Sequence, residues 1–184
     1  MHRVGRKKNF AVLIACTAVF TVAIGAGVSA ASTVAGAGII ASYNGGSIDL
    51  SQSWGTATVC TVTSKSTNCF TTMGEYLNWA TTQESSPLAG ALPALTCSPG
   101  LALYQNINYG GNSLIISAPS IWINLSAYGF ANAVSSYKVG SCAVTMTDGT
   151  YGSGNIYPGA TSPGSDVSWI GTAWNDRLQS VYLS

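Results

Sequence analysis

Residues 173–184, at the end of the chain, read AWNDRLQSVYLS. An Asn-Asp pair lies near the start of this stretch, and alternating apolar and polar residues follow it, which predicts a loop that leads into a final strand. A related pattern lies about 44 residues earlier, where residues 132–136 (NAVSS) correspond to residues 176–180 (DRLQS). Both copies carry an acidic or amide residue four positions before a serine. The pattern indicates an internal duplication.

A second pair of matching stretches supports the duplication. Residues 109–112 (YGGN) correspond to residues 151–154 (YGSG), at an offset of about 42. In each copy one tryptophan, Trp122 or Trp169, lies between this stretch and the stretch that ends in serine. From Leu95 onward, short apolar stretches alternate with Gly, Asn, Ser and Pro, as in consecutive strands. Two copies of about 43 residues predict two four-stranded units that close a β-sandwich by Greek-key connections.

These residues resemble the βγ-crystallin family. Its Greek-key motif opens with an aromatic hairpin of the form Tyr-x-x-x-x-Tyr/Phe-x-Gly, which appears here at Tyr104, Tyr109 and Gly111. The second copy keeps Tyr151 and Gly152 but has a methionine in place of the first aromatic residue. The resemblance covers about residues 97–184 and implies a mostly β, βγ-crystallin-like Greek-key sandwich.

Calcium-binding members of this family carry the motif Asn/Asp-Asn/Asp-x-x-Ser/Thr-Ser in each Greek key. Residues 131–136 (ANAVSS) and 175–180 (NDRLQS) follow it, except that Ala131 replaces the first position and Gln179 replaces the fifth-position hydroxyl. The resemblance therefore implies a calcium protein with degenerate, weak sites built from oxygen ligands. The implied calcium ligands are Asn132, Ser135, Asn175 and Asp176.

The alternative for these residues is a structural role. Asn132 and Asp176 are residue types that often occupy turns without binding a ligand. The serines that end the motifs, Ser136 and Ser180, are expected to hydrogen-bond the folded aromatic hairpins, whose glycines supply positive φ.

The beginning of the chain has the composition of a secretory signal peptide over residues 1–30. Arg and Lys residues precede a long apolar stretch, and residues 28–30 (VSA) offer small side chains for cleavage. A membrane anchor is the alternative, because the apolar stretch approaches the length of a membrane span. We favour export, and with it a secreted, extracellular protein without a stable anchor after cleavage.

Removal of this leader changes the charge and excludes several functions. Only Lys65, Lys138 and Arg177 remain against six acidic residues, which gives a net charge of about −3 and no basic surface for nucleic acid. The one histidine, His2, lies in the leader. A catalytic triad and a histidine-ligated zinc are therefore not expected, and no pair of carboxylates has a spacing that forces the two together. The sequence predicts a protein that is not an enzyme.

Four cysteines remain after removal of the leader, which suits two disulfides in an exported chain. Three pairings are open from sequence, and we favour Cys60–Cys69 with Cys97–Cys142 because each pair then lies within one composition block. A thiolate metal site is the alternative, although no Cys-x-x-Cys spacing is present.

Residues 31–96 form a separate composition block. Residues 56–64 (TATVCTVTS) and 69–72 (CFTT) predict a hairpin. Residues 73–82 predict a short helix with Met73, Tyr76, Leu77 and Ala80 on its buried face. Pro and Gly follow, which predicts a linker. The expected organisation is a leader at 1–30, a hairpin-plus-helix segment with linker at 31–96, and the Greek-key domain at 97–184.

Two alternative functions stay open beside calcium binding. The resemblance implies an inhibitor of extracellular metallopeptidases, for which residues 158–166 (PGATSPGSD) are the candidate loop. Binding to cell-wall glycan is the other, because exposed tryptophans can stack on sugar rings, although tryptophans more often lie in the core. The tryptophans are Trp54, Trp79, Trp122, Trp169 and Trp174.

Overall fold

A computed structural model describes residues 38–84 and 97–184 of the chain. The predicted signal peptide and most of the predicted linker lie outside these residues, so both stay predictions. Among the described residues, no helix has the length and apolar character that a bilayer crossing requires.

The described residues form eleven strands, one α-helix and three single 3₁₀ turns. The turns lie at Ile107–Tyr109, Leu125–Tyr128 and Thr150–Gly152. The strands and the helix are β1 (Ile40–Tyr43), β2 (Gly46–Asp49), β3 (Val59–Val62), β4 (Thr67–Phe70), α1 (Met73–Glu84), β5 (Leu101–Asn106), β6 (Gly110–Ile116), β7 (Trp122–Asn124), β8 (Ser136–Lys138), β9 (Val144–Thr147), β10 (Asp166–Val167) and β11 (Ser180–Leu183).

Two sheets pack on a shared core. The larger sheet has the order β10-β8-β5-β6-β3-β4-β1-β2, and the smaller has the order β7-β11-β9. The prediction of a mostly β, two-sheet Greek-key fold preceded by a hairpin and a helix is confirmed. The larger sheet exceeds the four strands expected from the duplication because the four strands of the N-terminal segment continue it.

Strand β3 joins the N-terminal segment to the Greek-key strands. It pairs in parallel with β6, with Val59 opposite Ser113 and Val62 opposite Ile116, and antiparallel with β4. All four of its residues are buried, which suits a strand in the interior of a sheet. Residues 38–84 and 97–184 belong to one compact unit.

Both predicted disulfides are confirmed. Cys60 and Cys69 lie directly opposite each other on β3 and β4, with their Cα atoms 4.1 Å apart. Cys97 and Cys142 link the segment before β5 to the loop before β9 across a sequence separation of 45. A thiolate metal site is therefore not formed by these residues.

Trp54 anchors the N-terminal segment to the core. Its indole is 8% exposed, stacks on Phe130 with the ring centroids 5.3 Å apart, and donates from Nε1 to the Tyr128 carbonyl at 2.8 Å. Gly129 has a φ of +64° in the turn below the ring, and a Cβ there would collide with the Leu50 carbonyl. The close approach of the two segments therefore requires glycine at this position.

Helix α1 packs through Tyr76, which belongs to the face predicted from sequence, and through Trp79, which does not. Thr72 caps its first turn, since the Glu75 N–H donates to Thr72 Oγ1 at 3.2 Å. Trp79 lies 5.5 Å from Phe70, centroid to centroid. The prediction that Met73 and Leu77 are buried is wrong, because the helix lies at the edge of the unit and Leu77 is 55% exposed.

Candidate functional site

The first Greek key closes on a buried serine. Ser136 Oγ accepts a hydrogen bond from the Tyr109 N–H at 3.0 Å and donates one to the Asn106 carbonyl at 2.6 Å. Above it, the rings of Tyr104 and Tyr109 meet edge to face with centroids 5.6 Å apart. The hydroxyl thus joins both ends of the 3₁₀ corner in which sequence analysis places the aromatic hairpin.

The second Greek key repeats this arrangement. Ser180 Oγ accepts a hydrogen bond from the Gly152 N–H at 2.9 Å and donates one to the Gly149 carbonyl at 2.7 Å. It also lies 2.8 Å from Thr147 Oγ1 in the interior. The two serines therefore make the same pair of bonds in the two copies.

These hydrogen bonds align the two corners one residue differently from the sequence match, which paired Tyr109 with Tyr151. Gly152, and not Tyr151, is the counterpart of Tyr109, and Tyr151 matches Asn108, which has nearly the same φ. Tyr151 is 73% exposed and does not act as the corner aromatic. A Cβ on Gly152 would collide with the Trp122 ring, so this tryptophan packs where the corner needs an aromatic side chain.

The two motif loops face each other through paired backbone bonds. The Asn132 N–H donates to the Leu178 carbonyl at 2.9 Å, and the Asp176 N–H donates to the Val134 carbonyl at 3.1 Å. Asn132 and Asp176 both have φ near +55°, a conformation that Asn and Asp tolerate better than most residues. Both predicted ligands thus hold strained positions in turns, as the structural alternative requires.

A cavity of about 620 Å³ opens beside these loops. Ser135 comes from the first motif and Asn175 from the second, and the first 3₁₀ corner supplies Ile107. Its lining residues are Asn106, Ile107, Ser135, Trp169, Thr172 and Asn175. The cavity therefore brings residues of both copies together.

Two of the four predicted calcium ligands line this cavity and two do not. Ser135 and Asn175 do, whereas Asn132 and Asp176 are not among its lining residues. Asp176 still contacts the site indirectly, because its Oδ2 accepts a hydrogen bond from Asn175 Nδ2 at 2.7 Å. Sequence analysis named Trp169 as a candidate only among the five tryptophans that could stack on sugar, and it missed Thr172, since neither belongs to the repeated motif.

The position that is equivalent to this cavity in the other Greek key has a different chemistry. Gln179 is the counterpart of Ser135, since each N–H donates to the matching strand carbonyl, and Ala131 is the counterpart of Asn175. Two residues before Gln179, Arg177 forms an ion pair with Asp148 at 2.6 Å. Hydrogen bonds from Asn155 to Asp148 hold the pKa of that carboxyl below its usual range, with Arg177 adding to the effect.

The other candidate surfaces are a loop and the tryptophans. The loop over residues 158–166 is largely exposed, and its backbone is tied to the domain by the Tyr137 hydroxyl, which donates to the Ala160 carbonyl at 2.5 Å. Of the five tryptophans, only Trp169 is mainly exposed, at 54%.

Some solved structures are similar to about half of this chain. A βγ-crystallin domain from Clostridium beijerinckii is 27% identical over 46% of this chain and 95% of its own, with a TM-score of 0.39. A βγ-crystallin from Ciona intestinalis is 28% identical over 46% of this chain and 98% of its own, with a TM-score of 0.37. No protein-family model matches the chain, and no curated protein matches it.

The duplicated corners and the two sheets define the class of fold. Two Greek keys, each closed by a buried serine, give residues 97–184 a two-sheet, βγ-crystallin-like fold. The large sheet of this domain continues into an N-terminal segment of four strands and one helix.

Replacing Ser180 with alanine should lower the free energy of unfolding by about 1–3 kcal/mol, because a backbone N–H and a carbonyl lose their partner in a largely buried corner. Urea unfolding measures the change. Ser153→Ala is the matched control: its hydroxyl also donates to a corner carbonyl, that of Thr150, but on the exposed surface. A loss for Ser180→Ala no larger than for Ser153→Ala would contradict the structural role.

Proposed function

We propose that the chain is a secreted, non-enzymatic βγ-crystallin-like protein that binds one calcium ion weakly in the cavity between its two motifs. The observation that carries the proposal is that Ser135 from one motif and Asn175 from the other line the same cavity. Calcium takes six to eight oxygen ligands, which such a junction of two loops can supply from side chains, main chain and water.

The donor chemistry of the cavity fits a weak calcium site. Ser135 Oγ and Asn175 Oδ1 would be the side-chain ligands, and the main chain at Ile107, which also lines the cavity, could supply a carbonyl. The bond from Asn175 Nδ2 to Asp176 leaves the amide oxygen as the atom that can bind an ion. All these ligands are neutral, and a site with few charged ligands belongs at the weak end of the calcium range.

The proposal is for one ion and not two. The related position has Ala131 in place of the amide and Gln179 in place of the hydroxyl. Arg177, two residues before Gln179, is already paired with Asp148. That carboxylate is therefore not free to bind a second cation.

Calcium should raise the melting temperature of the wild-type protein by several degrees. With Kd of about 10⁻⁴–10⁻³ M, about 10 mM calcium stabilises the native state by roughly 1.4–2.7 kcal/mol. Ser135→Ala and Asn175→Ala should each abolish this rise, and Asp176→Ala should reduce it. Differential scanning calorimetry in calcium and in chelator measures the effect.

Asn132→Ala is the matched control for this experiment, because Asn132 is an amide on the equivalent loop that does not line the cavity. It should lower the melting temperature in both conditions and keep the calcium-dependent rise. A wild type that melts at the same temperature with calcium and with chelator would contradict the calcium proposal. Equal loss of the rise in Asn132→Ala and Asn175→Ala would contradict the placement of the site.

The proposal of a non-enzymatic role rests on the same cavity. Acid–base catalysis needs an ionisable side chain within reach of the substrate, and the residues that line this cavity carry amide, hydroxyl and apolar groups. The proposal of secretion is supported by the leader sequence and by two disulfides, which persist in oxidising compartments.

Inhibition of an extracellular metallopeptidase is the second candidate. It is supported by the loop at residues 158–166, which combines exposure with anchoring: the Ala160 carbonyl accepts from Tyr137, and the Gly164 N–H donates to the Val139 carbonyl at 3.0 Å. A loop held in this way loses little entropy on entering a cleft. Inhibition of a thermolysin-type peptidase at micromolar concentration would support it, and uninhibited activity would exclude that class of target.

A further inference from the structure

Trp169 differs from the other tryptophans of the chain in its exposure. Trp54 is buried, and Trp79, Trp122 and Trp174 each lie within about 5.5 Å of a neighbouring aromatic ring. Trp169 is 54% exposed and lines the cavity described above. An exposed indole that lines a cavity offers a flat stacking surface to a ligand.

The backbone on both sides of Trp169 is fixed. The Asn108 N–H donates to the Ser168 carbonyl at 2.8 Å, and the Ile170 N–H donates to the Ser135 carbonyl at 2.9 Å. Ile170 is buried in the core. The exposed indole is therefore presented from a held segment and not from a free loop end, so binding would cost little backbone entropy.

The cavity offers the polar groups that an uncharged polyhydroxyl ligand needs. Asn106 and Asn175 carry amides, Ser135 and Thr172 carry hydroxyls, and these groups can both donate and accept. No side chain in the lining is ionisable. An anionic ligand would find no cationic side chain there, whereas sugar hydroxyls would find donors and acceptors.

The size of the cavity also argues for a ligand larger than an ion. The cavity has a volume of about 620 Å³ and is a groove open to solvent. A calcium ion holds its oxygens at about 2.3–2.6 Å and needs only a small part of that space. The groove therefore suits a ligand that lies along the surface with one face exposed.

We infer that this cavity binds a neutral, glucose-type oligosaccharide, with one sugar ring stacked on Trp169 and its hydroxyls bonded to the Asn and Ser/Thr side chains. Rings with equatorial hydroxyls have an apolar C–H face, which suits the indole. The proposed sugar site lies in the same cavity as the proposed calcium site, but sugar binding does not depend on the ion.

The duplication predicts one such site per chain. The counterpart of Trp169 in the first copy is Asn124, since the residues that follow them, Ile170 and Leu125, make equivalent bonds to Ser135 and Gln179. Asn124 Oδ1 accepts a hydrogen bond from the Tyr151 N–H at 2.8 Å, so this side chain is used within the fold. The second position therefore has an amide where the first has the indole of Trp169.

The test titrates the full chain with cellotetraose and chitotetraose, followed by calorimetry and tryptophan fluorescence, in calcium and in chelator. We expect one site per chain and binding in both conditions. Trp169→Ala should weaken binding by about tenfold or more, since the stacking contact is lost. Tyr151→Ala is the matched control, because Tyr151 is an exposed aromatic at the equivalent corner of the other copy.

Each result decides the inference. Wild-type binding that Trp169→Ala removes and Tyr151→Ala keeps, with both variants melting as the wild type does, would support it. No binding of either oligosaccharide, or equal binding by Trp169→Ala, would overturn it. Sugar binding that disappears in chelator would mean that the ion holds the sugar, and it would overturn a site made by side chains alone. Sugar binding without a calcium-dependent rise in melting temperature would support the sugar site and refute the calcium proposal.

Discussion

Trp54→Ala should lower the free energy of unfolding by about 3–5 kcal/mol, the usual cost of removing a large aromatic side chain from a core. The substitution removes the stacking contact with Phe130 and leaves the Tyr128 carbonyl without its indole donor. For a unit of this size the melting temperature should fall by about 6–20 °C. Because the N-terminal strands and the Greek keys share one core, the loss should appear as a shift of one cooperative transition.

The matched control is Trp169→Ala, which deletes the same side chain from a mainly exposed position. We expect a change within about 0.5 kcal/mol. Calorimetry with urea unfolding gives both values. Two separate transitions in the Trp54→Ala protein, with the second at the wild-type temperature, would show that residues 97–184 are stable without the N-terminal segment and would contradict the shared core.

Removing the Cys97–Cys142 disulfide should have a second large effect. Replacing both cysteines with alanine frees a loop with a sequence separation of 45, and chain-entropy arithmetic puts the cost at about 4 kcal/mol. Alanine is preferred to serine because Cys97 is fully buried, where a hydroxyl would need a new partner. Urea unfolding under nonreducing conditions measures the change.

The Cys60–Cys69 pair provides the comparison within the same chain. Its sequence separation is 9, so the same arithmetic gives about 2.5 kcal/mol for its replacement by alanine. The order of the two losses is the prediction. A larger loss for the hairpin pair would mean that packing around β3 and β4, and not the entropy of the unfolded chain, determines what these bonds contribute.

Local patterns in the sequence predict the parts of this fold that depend on neighbouring residues. The hairpin around Cys60 and Cys69 is visible because alternation and turn residues lie within a few positions of each other. The motif serines, Ser136 and Ser180, are visible because the duplication repeats them. Even the displaced match of Tyr151 has a local cause: the corner uses a glycine against Trp122 in one copy and a tyrosine in the other.

Contacts between distant residues were beyond the sequence patterns. No periodicity in β3 specifies a parallel partner in β6, and nothing near Trp54 indicates a carbonyl acceptor at Tyr128. The candidate site shows the same limit. Asn175 and Asp176 are adjacent in sequence, and only the turn geometry decides that Asn175 lines the cavity while Asp176 bonds to its amide.

The parallel pairing of β3 with β6 has a consequence for the order in which the chain folds. During synthesis β3 emerges about fifty residues before its partner strand, so its buried residues have no neighbour on that side until β6 follows. Loop closure over this distance costs entropy before the pairing compensates for it. We expect the joining of these two strands to be the slow step of refolding, later than the formation of either adjacent hairpin.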